Sequence, residues 1–106
     1  MKKYLANAFS LSMTVGNALI EKRSVDFDEF LIVSKDAESI VGHAETAAIL
    51  SQMLGREVNV NRVSVRLDEG DIVCVAQYIG PRLPEGATSL PEGAQIEWMI
   101  VRIVQN

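Results

Sequence analysis

The sequence predicts an α/β (α+β) fold: a single domain, residues 1–106, with one mixed sheet of about five strands and two or three packed helices. Three observations predict it. One stretch, residues 43–54, carries apolar residues at helical spacing. Other stretches alternate with period two or form apolar runs of strand length, such as Ile72 to Ala76. Turn formers separate these segments at Gly16-Asn17, Gly55, Asp68-Glu69-Gly70-Asp71 and the Pro/Gly-rich stretch after Ile79. At 106 residues the chain can bury a modest core, which a partner subunit would extend.

Lys3 to Phe9 reads as the first strand, with Tyr4, Leu5 and Phe9 apolar, Asn7 within it, and Ser10 and Ser12 at its end. Polar residues at a strand's carboxyl end are either ligand contacts or a plain strand-to-loop transition. Ala18 to Val25 is a second strand. Asp26 or Asp28 can cap a short helix containing Phe27, Phe30, Leu31 and Ile32. Ala37 to Val41 then leads into Gly42-His43 and the main helix. There Ile49, Leu50, Met53 and Leu54 form one stripe, and Ala44, Ala47 and Ala48 add propensity. Glu45 suits the first turn, and Gly55 sits where a glycine ends a helix.

Beyond Arg56 to Asn61, the run Arg62 to Leu67 is the cleanest alternation in the chain, Val63, Val65 and Leu67 against Arg62, Ser64 and Arg66. It predicts a strand whose arginine face is either solvated or anion-binding. Asp68 to Asp71 predicts a hairpin turn, and Ile72 to Tyr78 a central return strand, nearly all apolar until Gln77. Gly80 to Ala94 is a loop holding all three prolines. It repeats one unit, Leu83-Pro84-Glu85-Gly86-Ala87 and Leu90-Pro91-Glu92-Gly93-Ala94, which leaves open whether Glu85 or Glu92 matters. Ile96 to Val104 is a long last strand, and its run Trp98-Met99-Ile100-Val101 predicts cover on both faces.

Composition narrows the function classes. Hydrophobic residues make up 48% and charged residues 23%, as in ordinary globular chains. The single cysteine, Cys74, permits no internal disulfide and fits a reducing compartment. One His and one Cys cannot build a Cys/His zinc site. A net charge of −4 argues against broad binding of long nucleic acid. It leaves room for a small anion held by a few of the six arginines, Arg23, Arg56, Arg62, Arg66, Arg82 and Arg102. Asn7, Ser10 and Ser12 interrupt any signal-peptide core, and no apolar run reaches transmembrane length, so a cytoplasmic protein with no membrane partner is expected. His43 by itself reads as a surface residue or helix cap; functionally, it stands where free backbone N–H groups would meet an anion.

Four segments taken together resemble a known family: Tyr4-Leu5-Ala6-Asn7-Ala8-Phe9-Ser10, Val41-Gly42-His43 with Thr46, Asn61-Arg62-Val63, and Arg82-Leu83-Pro84-Glu85-Gly86. The chain resembles, nearly end to end, the viral ring nucleases, the type III anti-CRISPR family. The resemblance implies cleavage of cyclic tetraadenylate by a metal-independent homodimer without a cofactor, in the host cytoplasm for a viral protein. It implies His43 as the key catalytic residue, with Arg82 and Glu85 completing the catalytic set. It further implies substrate contacts from Asn7, Ser10, Ser12, Thr46, Arg62 and Gln77. Two positions depart from the family pattern: Glu45 stands where many relatives carry a small hydroxyl residue, and Ser12 where some carry asparagine.

The chemistry suits these residues. An RNA-type phosphodiester carries its own nucleophile, the 2′-OH, so cleavage needs in-line geometry, charge stabilisation and a proton for the leaving 5′-oxygen. A non-catalytic sponge or sensor for the same messenger would use the same arginines with His43 as a mere cap. A small structural or regulatory protein would use neither.

Overall fold

A computed structural model describes residues 1–106. In chain order its elements are β1 (Lys3–Ala6), a short 3-10 helix (Leu11–Met13), β2 (Leu19–Ser24), α1 (Phe27–Val33), β3 (Glu38–Ser39), α2 (Ala44–Leu54), β4 (Ile72–Ile79) and β5 (Gln95–Gln105). The strands form one mixed sheet in the order β2-β5-β4-β1-β3. β1 pairs parallel with β3 and with β4, while β5 runs antiparallel to β4 and to β2. This is the expected α+β architecture.

β4 is central, with β1 on one side and β5 on the other, and Val73 to Ala76 are buried. Its continuous apolar run reflects cover on both faces. On one face Leu5, Cys74, Ala76 and Ile100 pack with Phe30 of α1 and with Ala47, Leu50 and Leu54 of α2. Trp98 stacks there at a tilt, 5.2 Å from Phe27 and 4.7 Å from Phe30 between ring centroids. On the opposite face Tyr4, Ala6, Val73, Val75, Met99, Val101 and Ile103 pack with Leu67, Phe9, Met13 and Val65. No α-helix covers that face; the 3-10 helix and the segment before β4 do. The alternation of Trp98 and Ile100 against Met99 and Val101 thus bears out the two-sided burial of β5.

The helices follow their local signals. Asp26, rather than Asp28, caps α1: its carboxylate accepts the Glu29 N–H at 2.8 Å. α2 ends at Gly55, whose φ of +70° is the left-handed conformation that glycine adopts freely. Ser34 and Arg56 lock the two helices together, since Arg56 Nη2 donates to Ser34 O and Oγ, each at 2.7 Å.

Three expectations need correction. The first strand stops at Ala6, because Asn7 to Ser10 turn away into the 3-10 helix. Residues 62–67 are not a strand. Val65 and Leu67 do pack on the sheet, but the backbone makes single bonds (Val63 N–H to Asn61 O, Leu67 N–H to Met13 O) instead of a ladder. Arg62, Ser64 and Arg66 are exposed on this irregular segment, not along a sheet face. The Asp68 to Asp71 turn exists but makes no hairpin, since β4 pairs with β1 and β5. The fifth strand is instead β3, two residues that lead into α2.

Candidate functional site

β1, β3 and β4 are parallel, so their carboxyl ends lie along one sheet edge. Open α/β sheets place ligand crevices outside such ends. Three segments leave this edge: Asn7 to Ser10 after β1, Ile40 to His43 after β3, and Gly80 to Glu85 after β4. The last two enclose an open cleft of about 770 Å³. His43, Glu45 and Thr46 line it from the start of α2, and Tyr78, Gly80, Arg82, Leu83 and Glu85 from the end of β4 and its loop.

His43 occupies the N-cap position of α2 with extended backbone angles, yet its side chain makes no capping bond. The first intrahelical bond is Ala47 N–H to His43 O, which leaves the N–H groups of the first turn without helical partners. An uncapped first turn together with a free imidazole offers donors to an anion. Thr46, only 6% exposed, turns toward the cleft.

A parallel bridge from Val41 to Val60 and two bonds from Asn61 fix the approach to His43. Asn61 donates its backbone N–H to Val41 O at 2.8 Å and its side-chain amide to Ser39 O at 2.9 Å. The next residue, Arg62, then crosses Gly42: a Cβ at Gly42 would sit 3.3 Å from Arg62 Cγ. A side chain at Gly42 would make the exposed Arg62 stem shift by a few tenths of an ångström.

Arginine pairing separates two groups. Arg23 pairs with Glu29, Arg102 with Glu21, and Arg56 donates to Ser34. Arg62, Arg66 and Arg82 have neither an ion pair nor a side-chain hydrogen bond, so all three guanidinium groups are available to an anion in the fork geometry that suits phosphate.

Of the residues expected from the sequence, His43, Thr46, Arg82 and Glu85 share the cleft. Of the two repeated glutamates, Glu85 lines the cleft and Glu92 does not. Arg62 lies beside the cleft, against Gly42. Ser10 and Ser12 bond each other, Oγ to Oγ at 2.8 Å, in the 3-10 segment whose Phe9 and Met13 cover the helix-free face. Gln77 lines a separate crevice on that face, with Phe9, Ile20, Lys22, Val75, Met99 and Val101. Asn7 leaves β1 at the common edge without lining the cleft. Tyr78 and Gly80 are lining residues that sequence reasoning missed, because a hairpin reading of the preceding turn hid the parallel pairing of their strand with β1. No group of three or more His, Cys, Asp or Glu side chains is placed to hold a metal ion, and no helix is long and apolar enough to cross a membrane.

Comparison with known proteins agrees with this architecture. Residues 3–98 match the profile of the STIV B116-like family. Among solved structures, the chain is similar to B116 of Sulfolobus turreted icosahedral virus, with a TM-score of 0.79 and 25% identity over 96% of this chain and 99% of that one. No curated protein is significantly similar in sequence.

Proposed function

The chain belongs to the STIV B116-like family, and from that premise we propose that it is a ring nuclease, a metal-independent phosphodiesterase that opens cyclic tetraadenylate and so antagonises type III CRISPR signalling. The observation that carries the proposal is the shared cleft: a free histidine at an uncapped helix start faces an unpaired arginine and a glutamate.

In this reading Arg82 and the first-turn N–H groups of α2 hold a phosphate and stabilise the charge that builds on it. The ribose 2′-oxygen attacks the adjacent phosphorus as the P–O5′ bond breaks. His43, as general acid, gives a proton to the departing 5′-oxygen, and the 2′-OH proton passes to water. General acid catalysis of this kind contributes about 10²–10⁴-fold. Glu85 orients Arg82 or a ribose hydroxyl. The products are linear adenylates ending in 2′,3′-cyclic phosphate. The functional unit is a homodimer whose two-fold axis matches that of the ring, so two copies of His43 face opposite phosphates.

The test is incubation with cyclic tetraadenylate in excess EDTA, with products separated by chromatography. The wild type gives linear products, and His43→Ala binds the ring but lowers cleavage about 10²-fold or more. Full activity in His43→Ala removes that residue from the chemistry. Ring bound but intact with both proteins identifies a sponge, and a ring that never binds overturns the ligand assignment.

A further inference from the structure

The Leu-Pro-Glu-Gly-Ala unit occurs twice, and both copies fold alike. Ala87 N–H bonds Pro84 O and Ala94 N–H bonds Pro91 O, each at 3.1 Å. Gly86 and Gly93 carry φ of +79° and +82°, the left-handed value that the third residue of a type II turn requires. The same local sequence gives the same turn, so only tertiary position separates the copies. The first sends Leu83 and Glu85 into the cleft, while the second sends nothing there.

The second copy makes different contacts. Leu90 faces Ile49, Gln52 and Met53 of α2 across a small crevice. Ala94 backs onto Gly80: a Cβ at Gly80 would lie 2.8 Å from Ala94 Cβ and 3.0 Å from its Cα. Gly80 also has φ of +152°, so no other residue fits there without strain. From this seat the chain runs to Pro81, whose φ is fixed by its ring, and then to Arg82. The Tyr78 hydroxyl donates to the Pro81 carbonyl, one residue before Arg82.

We propose that Tyr78 is a positioning residue: through its bond to Pro81, on the Gly80–Ala94 contact that the second repeat supplies, it holds the Arg82–Glu85 arm toward His43. The catalytic consequence rests on the ring-nuclease reading; the mechanical part does not. Tyr78 acts through Arg82, and Glu92 lies outside the cleft.

Tyr78→Phe keeps the ring and removes only the hydroxyl, with circular dichroism and thermal melting used to confirm the fold. Limited trypsin digestion reads the arm directly at the Arg82–Leu83 bond. Cutting there rises about fivefold in Tyr78→Phe, while cutting at other sites and in Glu92→Gln stays at the wild-type rate. Single-turnover cleavage of cyclic tetraadenylate falls about tenfold in Tyr78→Phe, and falls no further when the change is made in an Arg82→Ala background. Unchanged digestion overturns the proposal, and so do losses that add in the double variant. If the wild type leaves the ring intact, the ring-nuclease reading falls and the digestion alone decides the role of Tyr78.

Discussion

Cys74 is fully buried among Leu5, Ala76 and Ile100, and that burial pushes its thiol from 9.0 to about 11. The neutral thiol is the form that an apolar surrounding favours. In the unfolded chain the thiol ionises first, so between pH 9 and 11 the folded state binds more protons and stability falls as pH rises. Wild type should therefore lose about 2–3 kcal/mol more than Cys74→Ala over that window, read as melting temperature against pH. Below pH 9 the thiol should react with Ellman's reagent only after unfolding. Burial of Cys74 was legible from its place in an apolar run. His43 was legible too, as the one histidine at a predicted helix start. Which of Glu85 and Glu92 lines the cleft was not, because two identical pentapeptides make identical turns, and only the sheet edge and α2 distinguish them.

Among the elements, α2 and the two long strands were readable because their patterns extend over eight residues or more. Residues 62–67 show the limit of alternation as a signal. Period two reports that alternate side chains are buried, and Val65 and Leu67 are indeed packed on the sheet. It does not report whether a neighbouring strand is free to pair, and here β1 and β5 already flank β4. β3 is too short to leave a pattern, yet it delivers Gly42 and His43 to the site. The junction before β4 depends on Asp71, 3% exposed, whose carboxylate accepts the Lys2 and Asp68 N–H groups, each at 2.8 Å. The same residue's carbonyl accepts the Ile103 N–H at 3.0 Å, so one turn joins β1, β4 and β5. Asp71→Ala leaves two backbone donors without partners and should cost about 2–4 kcal/mol in urea unfolding. Asp71→Asn keeps one acceptor and should cost about half as much. Equal stability of all three proteins would show that water replaces the carboxylate at no cost.

At the scale of the whole molecule, the expected site residues divide between two places. His43, Thr46, Arg82 and Glu85 share the cleft at the helical side, whereas Ser10, Ser12 and Gln77 belong to segments on the helix-free side. The sequence could name both groups but not their separation, since strand parity and the path of residues 7–13 are set by packing. One chain also presents only three unpaired arginines, Arg62, Arg66 and Arg82, within a net charge of −4. A cyclic tetranucleotide brings four phosphates. Two chains related by a two-fold axis double the cations and supply each cleft symmetrically. If the ring-nuclease proposal holds, calorimetry with the His43→Ala protein should give one ring per two chains, and light scattering should give twice the mass of one chain. Binding should weaken steeply with added salt, because exposed arginines meet phosphates through a screened field. One ring per chain at monomer mass would overturn the dimeric site while leaving the cleft chemistry of a single subunit standing. Salt-independent binding would instead move the recognition from the arginines to the bases.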